Sequence, residues 1–453
     1  MLTRKNLLAI GILAVVYFVV GKLGLRLAFV HPSASAVWPP SGIALAAVLM
    51  FGSRVWPGIM LGALLVNLTT AGSLATSLGI AVGNTLEAVV GAHLVNEFAG
   101  GRQAFQRAQD KFKFAILAGM VSTTVAATFG VTSLALGGFA PWNHYGSIWL
   151  TWWLGDAVGI VVVTPLVILW ATRNHERWTV MRGVEAAALA VCLLLVSHLV
   201  FAGNILAPKR YPLEYLCLPF LVWAAYRFSP REAATAILLL ATVASVGTLR
   251  GSGPFARATP NESLLLLQSF LGIVTVMTLA FAAALAERRR AEERAYYLAI
   301  TDSLTGLANY RRLIEEMEAE IRRSARSGKP FALLLLDLDE LKKINDAQGH
   351  LVGSRALCRV ADVLRAQCRD IDTPGRYGGD EFAVILPESG STAASQVASR
   401  IYERLARDGE QPTLSVSIGV AEYPQDGETV EALLRAADRV LYEMKKRLHR
   451  EVT

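Results

Sequence analysis

Two short acidic stretches stand out as able to do chemistry. FALLLLDLD (Phe331–Asp339) ends an apolar run in aspartates, and RYGGDEF (Arg376–Phe382) sets two adjacent acids on a pair of glycines. Asp337, Asp380 and Glu381 offer hard oxygens of the kind that hold Mg²⁺ or Mn²⁺. Gly378 and Gly379 allow positive φ and carry no side chain, so a phosphate can approach the backbone closely. Two acidic loops at the ends of adjacent strands would hold two metal ions over a triphosphate. For the GGDE stretch taken alone, a hairpin turn with solvated acids is an equal alternative.

The elements that must position these acids follow from periodicity. Tyr310–Ser327 reads as a helix, Phe331–Asp339 as a buried strand and Val352–Arg369 as an amphipathic helix. RYGG and EFAVILP read as two strands about a tight turn. Thr392–Ala406 reads as a helix, Leu414–Ala421 as a strand and Val430–Arg447 as a helix. That order predicts an α+β domain, with helices packed on a central antiparallel sheet.

The rest of the chain is of another kind. Of 453 residues, those up to about 286 carry most of the apolar weight, and mean hydropathy reaches +0.41. About ten apolar segments, several near the ~20-residue spanning length, predict an all-α polytopic domain of eight to ten transmembrane helices over residues 1–286. The apolar start follows MLTRKN and reads as a retained first span, with no small-residue cleavage site. Arg4 and Lys5, Arg54, Arg102–Lys113, Arg173–Arg182, Arg227–Arg231 and Arg288–Arg290 gather in alternate loops. This places the N-terminus and residue 288 on the cytoplasmic side, which needs an even number of spans. The net charge of +7 therefore reads as topological, with no basic stripe for nucleic acid. Four scattered cysteines imply neither a disulfide framework nor a zinc site. Glu87 and Asp156 sit at membrane depth, where acids mark a ligand site, an ion path or a packing contact. The charged run from Glu287 (ERRRAEERAYYLAI) reads as a helical linker over 287–300, able to pair across a dimer.

Motifs complete the reading. DSLTGLAN (Asp302–Asn309), DLDELKKINDAQGH (Asp337–His350), RYGGDEF and VSIGVA follow in order over residues 301–453, which closely resembles the GGDEF family of diguanylate cyclases. The resemblance implies a nucleotide-cyclase-like palm fold, and a homodimer in which each subunit holds one GTP and two Mg²⁺ or Mn²⁺. Two 3′-hydroxyl attacks on α-phosphates would give cyclic di-GMP and two pyrophosphates. By position it makes Asp337, the Leu338 carbonyl, Asp380 and Glu381 metal ligands, with Asp380 also activating the 3′-hydroxyl. Lys342 and Lys445 would meet phosphates, and Asn345 would meet guanine. Asp302 and Arg376 would form a structural ion pair. RDID (Arg369–Asp372), with Arg400, resembles the family's inhibitory product site for a cyclic dinucleotide.

The departures are Leu341 for a phenylalanine, Tyr310 for an arginine, and His449 where a phosphate-binding arginine is expected. Ser354 replaces the aspartate that reads the guanine edge. A subgroup with that serine makes mixed cyclic AMP-GMP, so ATP becomes an alternative substrate. A weak cyclase that mainly binds cyclic dinucleotide is the competing function. The strings AVWPPSGIALAAVLMFG, WPGIMLGALLVN, GNTLEAVVGAHLV and WWLGDAVGIVVVTPL resemble the first type of bacterial membrane-associated sensor domain. That implies sensing of an unknown ligand in the lipid of the bacterial inner membrane.

Overall fold

The computed structural model describes residues 4–25, 28–31, 34–70, 72–172, 178–202 and 212–452. Of the residues singled out above, Arg173 lies outside them, as do the side chains of Arg4, Lys5 and His449. The chain forms two compact units, Met1–Arg290 and Ala291–Thr453.

Among the described residues, the regular structure of the first unit is helical apart from a small antiparallel ribbon, β1 (Ala28–His31) with β2 (Ala34–Ser35). Its helices are α1 (Arg4–Leu25), α2 (Pro39–Phe51), α3 (Trp56–Leu68) and α4 (Leu74–Phe98). α5 (Ala108–Phe114) runs through a π-helical stretch, Ala115–Ser122, into α6 (Thr123–Leu136). Then come α7 (Tyr145–Ala171), α8 (Val180–Phe201), α9 (Leu218–Arg227), α10 (Pro230–Leu249) and α11 (Pro260–Ile300). Sequence punctuation sets several starts. Pro39 and Pro40 open α2, and Ser229 with Glu232 forms a capping box on α10, satisfying amide groups that the first turn leaves unpaired.

Among the described residues, seven helices are long and apolar enough to cross a membrane. The remaining apolar helices are short. At 13 residues each, α2 and α3 reach only about 20 Å, against a hydrocarbon core of about 30 Å. Long apolar side chains also point outward, among them Leu8, Val15, Leu195 and Ile273. A helix apolar all round suits lipid rather than water.

The second unit is a four-stranded antiparallel sheet with helices on both faces. Its elements are α12 (Tyr310–Ser327), β3 (Phe331–Leu338), α13 (Leu341–Gln348), α14 (His350–Gln367), β4 (Thr373–Arg376), β5 (Glu381–Leu386), α15 (Ser391–Ala406), β6 (Val416–Tyr423) and α16 (Val430–Val452). The strand order is β4-β5-β3-β6. Strand β3 is buried along its whole length, which explains why FALLLLDL shows no alternation of polarity. Alternation appears instead in what each face touches. Leu334, Leu336 and Leu338 pack with Leu357 and Val360 of α14 and Ile401 of α15. Phe331, Leu333 and Leu335 pack with Leu313 and Met317 of α12 and Leu433 and Leu441 of α16. All four cysteines are free thiols.

Candidate functional site

The acids meet at one end of the sheet because the register brings them there. Asp337, near the end of β3, pairs directly with Glu381, the first residue of β5. The Leu338 amide donates to the Asp380 carbonyl at 3.0 Å, which ties the two acidic stretches together. Asp337 projects on the same face as Leu333 and Leu335, the face covered by α16. Lys445 stands one helical turn beyond Leu441, and its ammonium lies 2.7 Å from Asp337 Oδ2.

Charge balance at the site favours a bound cation. Burial raises the Glu381 carboxyl above its ordinary range, and the Asp337 and Asp380 carboxylates add to the rise. Burial likewise raises Asp337, opposed by Lys445 and assisted by Asp380 and Asp339. Among the described residues no three His, Cys, Asp or Glu side chains close into a cation cage. The donor set nonetheless fits a divalent ion: three neighbouring carboxylates carry more negative charge than Lys445 neutralises, and its ammonium already sits on Asp337 as a stand-in cation.

The turn itself differs from expectation in one respect. Neither Gly378 nor Gly379 takes positive φ, so backbone handedness is not what calls for glycine. A Cβ at Gly378 would come within 2.9 Å of Glu381 Oε2, whereas one at Gly379 would meet nothing within 4 Å. The first glycine makes room for the acid and the second faces open space. Arg376 braces the turn from behind, donating to the Gly379 carbonyl at 2.6 Å and to Asp302 at 3.2 Å. Burial opposes the Asp302 charge, but hydrogen bonds from Thr305 and Arg376 outweigh it and hold the carboxyl below its usual range. The Arg376 amide donates to the Ala308 carbonyl at 2.8 Å, joining the DSLTGLAN loop to the hairpin.

The remaining residues fall into two groups. Lys342, Asn345 and Ser354 lie on the α13–α14 pair, whose helices are linked through Gly349 at φ +85°. Asn345 Oδ1 lies 2.0 Å from where a Cβ on Gly353 would stand, so the amide rests on the helix backbone beside Ser354. Lys342 is exposed. Arg369 and Asp372 close on each other at 2.9 Å, with Asp372 also accepting from the Arg369 amide at 2.7 Å. Arg369 donates further to the Pro387 carbonyl and Ser389 Oγ. Arg400 donates to the Gln367 carbonyl at 3.4 Å. Between them, burial with the nearby Asp372 pushes the Cys368 thiol up to about 12. Glu87 and Asp156 belong to the membrane unit and are buried.

Sequence reasoning passed over Asp339 and Glu340. Asp339 accepts from Ser415 at 2.9 Å and Ser417 at 2.7 Å, a clasp foreshadowed by the alternate serines of LSVSIGVA. Glu340 takes φ +59°, an unusual conformation for a residue with a Cβ; it turns the chain from β3 into α13, and no residue type announced it.

Comparison with known proteins covers nearly the whole chain. A family model described as MASE1 matches residues 9–289, and one described as "Diguanylate cyclase, GGDEF domain" matches residues 299–451. The response regulator PleD of Caulobacter vibrioides is 39% identical over 155 residues, which is 33% of this chain and 34% of PleD. The bifunctional diguanylate cyclase/cyclic di-GMP phosphodiesterase MucR of Pseudomonas aeruginosa is 30% identical over 301 residues, 65% of this chain and 40% of MucR. The chain thus spans well under half the length of these relatives. A crystal structure of a sensory box/GGDEF family protein from Caulobacter crescentus is 38% identical, with a TM-score of 0.31, covering 33% of this chain and 99% of that one.

Proposed function

The chain belongs to the MASE1 family and carries a diguanylate cyclase GGDEF domain behind that membrane domain; from this premise we propose that it is a membrane-bound diguanylate cyclase governed by its membrane domain. Residues 1–286 would sense, 287–300 would link, and 301–453 would condense two GTP into cyclic di-GMP and two pyrophosphates. The carrying observation is the meeting of Asp337, Asp380 and Glu381 at the paired ends of β3 and β5, with Lys445 on Asp337.

Asp337, the Leu338 carbonyl, Asp380 and Glu381 would hold two Mg²⁺ or Mn²⁺. When bound, these ions neutralise the triphosphate and make the 3′-hydroxyl more acidic. Lys445 would release Asp337 and, with Lys342, turn to the phosphates, where fixed positive charge stabilises the transition state. The 3′-oxygen of one GTP forms a bond to the α-phosphorus of the other. Its proton passes to Asp380, and the bond from that phosphorus to the β-phosphate oxygen breaks to release pyrophosphate. The second attack, with the subunits' roles exchanged, closes the ring, so the active form is a homodimer.

Base choice rests on Asn345 and Ser354. A serine hydroxyl donates or accepts, so it can face N1 of adenine as well as guanine. Mixed cyclic AMP-GMP is therefore a second product when ATP is present. Cyclic dinucleotide would also bind at Arg369, Asp372 and Arg400 as feedback inhibitor. A chain that mainly binds the dinucleotide is the weaker reading, because the acidic loops are intact.

The domain sits in the bacterial inner membrane with both the N-terminus and the cyclase on the cytoplasmic side. The pair α2 and α3 leaves the side unchanged whether both cross or neither does. An even number of crossings then needs the stretch 213–227, containing α9, to cross alongside the seven long helices. The deciding experiment is mass spectrometry of products from GTP and Mg²⁺, for the full-length protein and Asp380→Ala. Cyclic di-GMP from the wild type, reduced by orders of magnitude in the variant, supports the reading; near-normal product from the variant overturns it.

A further inference from the structure

The membrane unit buries a polar cluster that cyclase chemistry does not use. Tyr17 from α1, Ser41 from α2, Asn84 and Glu87 from α4 and Asp156 from α7 converge there, each at most 3% exposed. Ser41 Oγ donates to Asp156 Oδ1 at 3.0 Å, and Asn84 Nδ2 donates to the Tyr17 hydroxyl at 3.0 Å. Glu87 stands one turn from Asn84 on the same helix face and reaches both Ser41 and Asp156.

The cluster is held by close helix contacts. The Trp38 amide donates to the Gly155 carbonyl at 3.0 Å, and Thr164 Oγ1 donates to the Gly42 carbonyl at 2.9 Å. A Cβ on Gly159 would lie 2.1 Å from the Trp38 carbonyl oxygen, so α7 meets the start of α2 backbone to backbone. This fixes Ser41 against Asp156.

Its hydrogen bonding is lopsided. Glu87 Oε2, Asp156 Oδ2 and Asn84 Oδ1 are buried acceptors without a partner. Among the described residues, the groups acting on the two carboxyls are each other, Ser41 and, for Asp156, Trp152, while Tyr17 feels both acids; no ammonium, guanidinium or imidazole is among them. Buried carboxylates without compensating charge are costly, and in a membrane interior they mark function. Three unpaired oxygen acceptors call for a ligand that brings positive charge.

We propose that this cluster binds a hard monovalent cation. It is either an alkali-metal ion held by oxygens of Glu87, Asp156 and Asn84, or a proton shared between the two carboxyls. Occupancy would be the input of the membrane domain.

The test uses full-length protein in neutral detergent, melted at constant ionic strength. In one arm NaCl or KCl replaces N-methyl-D-glucamine chloride; in the other, pH is varied in metal-free buffer. A saturable rise in Tm with an alkali ion, at least tenfold weaker in both Glu87→Gln and Asp156→Asn, identifies an ion. A pH-dependent Tm whose wild-type excess disappears in both variants identifies the proton. The proposal is overturned if the wild type responds in neither arm, or if the variants respond as the wild type does. Should either acid variant fail to fold, two variants keep both acids: Asn84→Ala tests the metal, a tenfold weaker alkali-ion response supporting it and an unchanged one overturning it, and Ser41→Ala, which removes the donor to Asp156, tests the proton, a shifted pH dependence of Tm supporting it and an unshifted one overturning it. Melting requires no turnover, so this outcome and the fate of the cyclase reading are read separately.

Discussion

At the scale of single residues, Asp337 and Glu381 of the candidate site work against the fold that holds them. A carboxyl raised by folding binds protons more tightly folded than unfolded, so its ionised form destabilises the domain. That cost is present above the folded pKa and fades as pH falls through it. Glu381→Gln should therefore raise, at neutral pH in metal-free buffer, the Tm of the unfolding transition that responds to Mg²⁺. The gain should shrink on acidification, and added Mg²⁺ should stabilise the wild type more than the variant. A lower Tm for Glu381→Gln at neutral pH would contradict this. Asp302 has the opposite sign: its folded pKa is depressed, so its contribution is present above the unfolded value and lost as pH falls through the folded one. Ser354→Asp should suppress mixed cyclic AMP-GMP from equal ATP and GTP while keeping cyclic di-GMP, as read by mass spectrometry, because an acid facing adenine N1 sets two acceptors against each other. That Asp337 and the acids of the glycine turn lie together at the ends of neighbouring strands was legible in the sequence, because each closes or opens an apolar run. The Asp337–Lys445 contact was not, since it depends on how α16 crosses the sheet.

At the scale of elements, the legible parts are those with a period or a punctuation mark. The strand Phe331–Leu338 and the helix Tyr310–Ser327 lie where apolar run and amphipathic period place them. The short helix Leu341–Gln348 lacks a period long enough to read and was missed. The two glycines of the turn were read as allowing positive φ and leaving room; neither takes positive φ, and of the two only Gly378 has a neighbour, Glu381 Oε2, that a Cβ would crowd. The segment from α14 to β4 carries its own prediction. Arg369 is engaged by Asp372, Pro387 and Ser389, so a bound dinucleotide must compete for a guanidinium already in use. Arg369→Ala should weaken product binding by about 1.5–3 kcal/mol and relieve product inhibition, with the initial rate almost unchanged. Calorimetry with added cyclic di-GMP checks it; unaltered binding would leave RDID as a turn and nothing more.

At the scale of the whole molecule, α11 is a single helix from Pro260 to Ile300. Each residue inserted into a helix turns everything beyond it by about 100° and advances it by about 1.5 Å. One to four alanines inserted after Glu293 should therefore change cyclase activity non-monotonically, with partial recovery near a full turn; a steady decline with length would mean the linker is only a tether. That the chain has a membrane part and a soluble part was plain from its apolar distribution. What joins the membrane helices to one another was not, because it rests on single contacts between distant positions. One of these is the Lys111 ammonium, buried and donating to the Leu279 carbonyl of α11 at 2.6 Å across 168 positions of sequence. During synthesis, at about 5–20 residues per second, Leu279 emerges roughly 10–30 s after Lys111. For that interval the lysine has no Leu279 carbonyl to hold. The contact that seats Lys111 can form only when α11 arrives, so this part of the membrane domain is completed last.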